Sequence, residues 1–228
     1  MRERSLYRIG AVSAIVGSIL AGAVNLLHPR TPHIDRVEAF LPLVAGSAAW
    51  VGIHVGILFA VLLWTGALLA VWRSLGTEPG AAWAELGLAG ALVSAAIGLV
   101  WMAADGIAMK VVADAWASAA AAEKAVAFRD GFVLAKVNIA IFTVWDICFF
   151  GVTFILYGLA VATSGAYPKW LGWVAMLAGI GSALVGLNLA YQGPSHLVLN
   201  ILFPIFSIIL TVWVFVMGVL LWRRAGAA

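Results

Sequence analysis

The sequence predicts an all-α fold, a polytopic membrane bundle of six transmembrane helices with one interfacial helix around residues 110–128. Three observations carry this. Of 228 residues, 64% are hydrophobic and only 10% are charged, whereas a soluble domain carries about 25% charged residues. The mean hydropathy of +1.08 places the chain in a bilayer. Six apolar stretches each reach the ~20 residues needed to cross the hydrocarbon. Residues 1–228 read as a single membrane domain without a soluble insertion.

The elements follow in order. The first span covers approximately 7–28. Its start, "MRERSLYRIGAVSAIVGSILAGAVNLL", has the basic flank of a signal peptide. Its apolar run exceeds the roughly 7–15 residues of such a segment, and no small-residue cleavage motif precedes a soluble domain. It is read as a retained span. Residues 29–48 begin as a Pro-rich turn and continue as a short amphipathic piece. The second span covers 49–73 and ends at "RSLGTEPG", whose Pro-Gly pair marks a turn. The third covers 83–108.

Residues 109–130, "MKVVADAWASAAAAEKAVAFRD", are Ala-rich, which favours helix. Their interspersed charges predict a helix lying on the membrane surface. The fourth span, 131–162, is too long for a straight crossing and must tilt, kink or protrude. "SGAYPK" separates it from the fifth, 169–190, and "YQGPS" separates that from the sixth, 196–222. Pro204 predicts a kink within the sixth.

Orientation follows from Lys and Arg. One side would hold Arg2, Arg4, Arg8, Arg73, Lys169, Arg223 and Arg224. The other would hold Arg30, Arg36, Lys110, Lys124 and Arg129. The bias predicts that both termini are cytoplasmic. The net charge of +3 is spread over segment ends, which serves orientation and does not point to nucleic acid. The lone cysteine, Cys148, lies in an apolar segment and reads as a small buried hydrophobe. There is no P-loop, GxSxG or GxGxxG motif in a suitable context.

Polar residues inside the spans define the candidate site. With the N-terminus inside, His28, His54, Asp105, Lys136, Asn138, His196 and Asn200 fall toward the outer half of the membrane, with Asp146 deeper. They share helix faces with small or polar residues at spacings of three and four. The expected ligand-binding set is His54, Asp105, Lys136, Asn138, Asp146, His196, Asn200, Trp101 and Trp145. An ionised Asp at mid-membrane costs at least about 2.5–3.5 kcal/mol on insertion scales. Asp146 is therefore expected to hydrogen-bond across the bundle to Ser, Thr or Asn. Lys136 is expected to snorkel outward or reach Asp105. Aromatic faces at Trp101 and Trp145, beside the two acids, suit a cationic ligand or core packing.

Trp50, Trp72, Trp83, Trp170, Trp173 and Trp222 lie near span ends and read as an aromatic belt. His33 sits in the Pro-rich loop and reads as solvated. His28, His54, His196 and Asp105 together could ligate a divalent metal, and His54 with His196 could ligate haem. The specific i, i+4 histidine pair is missing, so no cofactor is predicted.

One segment, "GVTFILYGLAVATSGAYPKWLGWVAMLAGIGSALVGL" at 151–187, resembles a large bacterial family of small six-span membrane proteins of unknown function. The resemblance rests on Gly158, Ser164, Gly165, Pro168, Lys169, Leu171, Gly172 and Gly179, around a Ser-Gly turn followed by Pro-Lys-x-Leu-Gly. It implies the six-span fold and location in a bacterial cytoplasmic (inner) membrane, and no activity.

The function expected is binding or transport of a small ligand or ion in a polar intramembrane cavity open to the outer face. Two alternatives stand beside it. One is an intramembrane enzyme on a lipid or isoprenoid, with Asp146 or Asp105 as general acid. The other is a structural subunit of a membrane complex. Expected partners are the lipid bilayer, a small molecule or ion, and a membrane protein partner or second copy.

Overall fold

The structure, a computed structural model, describes residues 2–30 and 36–227, and His33 lies outside them. All regular structure among the described residues is helical. Six helices are long and apolar enough to cross a membrane: Glu3–Leu27, Trp50–Leu75, Ala81–Ser118, Lys124–Thr163, Lys169–Gln192 and Val198–Gly226. The first is helix α1 (Arg2–Leu27) and the second α3 (Trp50–Leu75). Between them, α2 (Val37–Gly46) is the expected short amphipathic piece.

The third span joins α4 (Ala81–Met102), a π-helical segment (Ala103–Ala108) and α5 (Met109–Ser118). The fourth joins α6 (Lys124–Asp146), a second π segment (Ile147–Thr153) and α7 (Phe154–Thr163). The fifth is α8 (Lys169–Gln192). The sixth joins a third π segment (Val198–Leu202) to α9 (Phe203–Ala227).

The separate interfacial helix expected at 110–128 is not formed. Spans three and four are instead continuous helices of 38 and 40 residues. At ~1.5 Å per residue each is close to twice the ~30 Å hydrocarbon thickness. They project past one end of the bundle as a helical hairpin whose tip lies at 119–123. The Ala-rich composition does favour helix, but its apolar face finds protein rather than lipid. Met109 and Ala113 bury against Val37, Leu41, Val44 and Trp50. This small second core is a cap built from α2, α5 and the start of α6. Lys124 closes its tip, donating to the Ala117 carbonyl at 3.1 Å and lying 4.4 Å from the Trp116 ring centre. A cation at a helix C-terminus satisfies carbonyls that have no intrahelical partner. Lys110 donates to the Ala45 carbonyl at 3.2 Å and ties α5 to α2.

The main core runs through all six spans. Lipid gives no hydrophobic drive between helices, so packing and cross-helix hydrogen bonds hold the bundle. Tyr157 donates to the Leu68 carbonyl at 2.9 Å, Trp213 to the Leu171 carbonyl at 2.8 Å, and Trp64 to Ser18 Oγ at 3.2 Å. The "YPKWLG" turn folds span five back on span four so tightly that backbone meets backbone. A Cβ on Gly172 would lie 2.3 Å from the Ala162 nitrogen and 2.5 Å from the Gly158 oxygen. The two glycines are therefore required by this crossing.

The π segments have local causes. Pro204 has no N–H to give to Asn200, four residues earlier and inside the 198–202 segment. In the fourth span Thr153 Oγ1 donates to the Cys148 carbonyl at 2.8 Å, supporting the widened turn. Each π segment contains or directly follows a polar residue: Asp105, Asp146 or Asn200. Such bulges occur frequently at functional sites.

A candidate ligand site at the capped end of the bundle

Trp50 is the first residue of α3, and its indole N–H crosses to the Asp105 carbonyl at 2.7 Å. One turn later, His54 Nδ1 lies 2.7 Å from the Trp50 carbonyl. A carbonyl only accepts, so Nδ1 carries the proton. His54 Nε2 lies 3.2 Å from Asp105 Oδ2. That contact holds one proton between the two atoms, because in the neutral imidazole Nε2 is itself an acceptor. His28 donates from Nδ1 to the Pro29 carbonyl at 2.9 Å, which leaves its Nε2 lone pair uncommitted. The His28 ring centre is 5.1 Å from that of His54 and 5.2 Å from that of Trp50. Trp50 also stacks obliquely on His54, centre to centre 4.5 Å.

This cluster is tightly built. His54 is 1% exposed and Asp105 8%. Gly106 makes the approach of α3 possible, since a Cβ there would lie 2.4 Å from His54 Cβ. Burial, and then the neighbouring His54, hold His28 below the ordinary imidazole value of 6.5, against the opposing pull of Asp105. One oxygen of the cluster is left over. Asp105 Oδ1 is buried and has no hydrogen-bond partner. A buried carboxylate oxygen without a donor costs about 1–3 kcal/mol or more, so this atom is the natural point of attachment for something that donates.

The other acid is placed differently. Asp146 is 0% exposed. Its Oδ1 accepts from Ser182 at 2.9 Å, the expected cross-bundle bond. Its Oδ2 has no partner and packs against the α8 backbone at Gly186, where a Cβ would lie 3.3 Å away. No ion pair among the described residues involves it. Asp146 is thus a tie between spans four and five, with no visible approach for a substrate.

The remaining candidates are placed as follows. Lys136 does not reach Asp105. It is exposed and lies over the Phe132 ring at 5.2 Å. His196 is exposed at the start of the sixth span and makes no polar contact with the cluster. Asn138 is buried, its Oδ1 without a partner, and Asn200 is half-buried in the third π segment. Trp101 and Trp145 stack on each other at 4.8 Å within an aromatic ladder with Phe142, Phe149 and Phe150. Both indole N–H groups are buried and unpartnered. Asn25, near the end of the first span, is exposed and folds back on the Ala21 carbonyl at 3.2 Å.

No polar chamber joins these groups in either of two clefts among the described residues. One cleft, lined by Glu3, Ser5, Leu6 and neighbouring side chains of α1 and α3, lies at the end bearing the termini. The other runs beside His54 and is almost wholly apolar. As they stand, no three His, Cys, Asp or Glu side chains among the described residues could hold a metal ion. His54 has both ring nitrogens engaged and His196 is exposed, so these two make no bis-histidine haem site.

Sequence reasoning missed three contributors. Trp50 reads as interfacial belt but is 1% exposed and braces the Asp105 backbone. Its spacing of four from His54 was the available signal. Gly106, adjacent to Asp105, and Ser182, in span five, carry no signal of their own. No family model, curated protein or solved structure matches this chain, and its own geometry carries the reading of the site.

Proposed function

We propose that this multi-pass membrane protein binds a small ligand or ion that donates a hydrogen bond or carries positive charge, at the Asp105–His54–His28 cluster. The observation that carries this is Asp105 Oδ1, a buried carboxylate oxygen without a donor beside an imidazole pair oriented by backbone carbonyls. Preorganised polar groups of this kind in an otherwise apolar site give orientation and specificity. The Lys and Arg bias supports cytoplasmic termini, which turns the capped end outward. The likeness of 151–187 to the bacterial six-span family supports a bacterial inner membrane. Transport would require the cluster to open to both sides in turn. Binding requires only the geometry described, and is the reading adopted.

The test is a titration of the purified protein in nanodiscs with methylammonium, and separately with Na⁺ and Zn²⁺, followed by thermal unfolding. Stabilisation by a ligand that saturates, and that Asp105→Asn removes, is expected. Equal behaviour of the wild type and Asp105→Asn with all three would refute the assignment. A response to Zn²⁺ alone would assign the site to a metal.

A further inference from the structure

At the opposite end of the bundle, spans one and two form a groove with its own chemistry. The two helices meet closely at Gly10, where an added Cβ would lie 2.1 Å from Ala70 Cβ. From that contact toward the end bearing the termini, α1 and α3 leave a space of about 630 Å³ between them. Its deep part is apolar. Ile9 and Leu69, the neighbours of Gly10 and Ala70, line it together with Leu6. Ile9 is 64% exposed, whereas Leu6 and Trp72 pack against the main core and hold the walls in place. The rim is charged. Arg73 Nη2 donates to Glu3 Oε1 at 3.0 Å from one helix to the other, and both side chains line the groove.

The helix rise sets the depth. Ile9 lies ~9 Å below Glu3 along α1, and Leu69 lies ~6 Å below Arg73 along α3. The groove therefore passes from the membrane interface into the acyl-chain region. Trp72, beside Arg73 at the end of span two, stands where aromatic side chains mark that interface. A water-borne compound has only the rim to bind, while a lipid uses rim and apolar part together. The volume falls within the ~300–1,000 Å³ of small-molecule sites. It takes a head group and the start of a chain, and the rest of the lipid stays in the bilayer.

The rim carries one positive and one negative group, and this balance selects the head. The guanidinium has further N–H donors and the carboxylate further lone pairs beyond the bond they share. The side chains are 49% and 58% exposed, and a pair so exposed is held weakly. Both partners can therefore engage a third group. A purely anionic head would meet Arg73 but sit against the Glu3 carboxylate. A trimethylated ammonium has no N–H to give to Glu3. A phosphate tethered to a primary ammonium satisfies both sides, with charge-assisted bonds at each.

We propose that this groove binds one membrane phospholipid with a phosphoethanolamine head. Its phosphate accepts from Arg73, its ammonium donates to Glu3, and the upper part of one chain lies along Leu6, Ile9 and Leu69. The bound lipid then bridges the first two spans at their membrane interface.

The experiment is native mass spectrometry of the full chain titrated with phosphatidylethanolamine, phosphatidylcholine and phosphatidylglycerol of identical chains. Wild type is expected to hold one phosphatidylethanolamine about tenfold more tightly than either other lipid, the scale of one charge-assisted hydrogen bond. Arg73→Gln should weaken phosphatidylethanolamine and phosphatidylglycerol alike, by about tenfold. Glu3→Gln should weaken phosphatidylethanolamine about tenfold and strengthen phosphatidylglycerol, reversing the preference. Both are surface substitutions that leave the fold intact. Glycerophosphoethanolamine, the same head without chains, should compete about a hundredfold less well, because it forgoes the apolar contact. Equal affinity of wild type for the three lipids would overturn the proposal, as would a preference that survives both substitutions. A wild-type preference for phosphatidylglycerol would overturn it in favour of an anionic lipid. Competition by glycerophosphoethanolamine at parity would overturn the lipid as occupant.

Discussion

Replacing Gly106 with alanine tests whether the site depends on the close approach of α3 to the π segment. The added methyl would meet His54 Cβ at 2.4 Å and Cγ at 3.1 Å, where ordinary contacts lie at 3.4–4 Å. Relief requires the two helices to separate locally by about 1 Å, because Cβ is fixed to the backbone and has no rotamer to take. The His54–Asp105 contact, already 3.2 Å, then passes beyond hydrogen-bond range. Overpacking of this kind costs about 1–3 kcal/mol. Loss of a buried bond to a charged group adds about 1.5–3 kcal/mol. A net destabilisation of about 3 kcal/mol or more is expected, a shift of over a hundredfold in the folded-to-unfolded ratio. Gly22→Ala is the control, since a Cβ there meets nothing within 4 Å. Its expected effect is within about 0.5 kcal/mol. The assay is reversible unfolding in bicelles, with ¹⁵N-histidine NMR reporting the His54 Nε2 environment. If Gly106→Ala matches Gly22→Ala in stability and leaves that resonance in place, the reasoning is wrong.

Three further outcomes are expected. Gly172→Ala drives a methyl to within 2.3–2.7 Å of backbone atoms of Gly158 and Ala162. It should destabilise by about 3 kcal/mol, at the top of the overpacking range, measured by the same unfolding assay. Asp146→Asn keeps an acceptor for Ser182 and needs no counter-charge, so it should fold within about 1 kcal/mol of wild type, whereas Asp146→Leu should lose about 1–3 kcal/mol by stranding the Ser182 hydroxyl. A large loss in the asparagine variant alone would show that the charge itself is required. His28 has a lowered pKa in the folded protein, so on acidification below 6.5 the unfolded chain takes up the proton first. Stability should therefore fall as pH drops from 7.5 to about 5.5, and His28→Gln should flatten that slope in bicelle unfolding titrations.

Much of the architecture is legible in the chain because each span is a local property. Its length, its hydropathy and the Gly-Pro or Pro-Gly turns at its ends are all read within about 25 residues, close to the 24–26 residues of the first, second and fifth spans. The amphipathic piece in 29–48 and the position of His54 in the second turn of α3 are local in the same sense. Residues 109–130 show where locality stops. Alanine content fixes helicity, but whether the helix lies on lipid or stands up as a hairpin depends on a partner. Here the partner is the Val37, Leu41 and Val44 face of α2.

The candidate site divides along the same line. Sequence determined which side chains were costly enough in a membrane to need a partner: Asp105, Asp146, His28 and His54. It also fixed the end of the bundle at which each would lie, because alternation of spans sets depth. Only the tertiary structure decided the pairings. Asp105 took His54 instead of Lys136, and Asp146 took Ser182, because azimuth and helix register are set by packing against neighbours, to which single glycines such as Gly106 and Gly172 contribute. A helix drawn from sequence has a face but no neighbour. The rotation that brings one imidazole within 3.2 Å of one carboxylate is a property of the whole bundle.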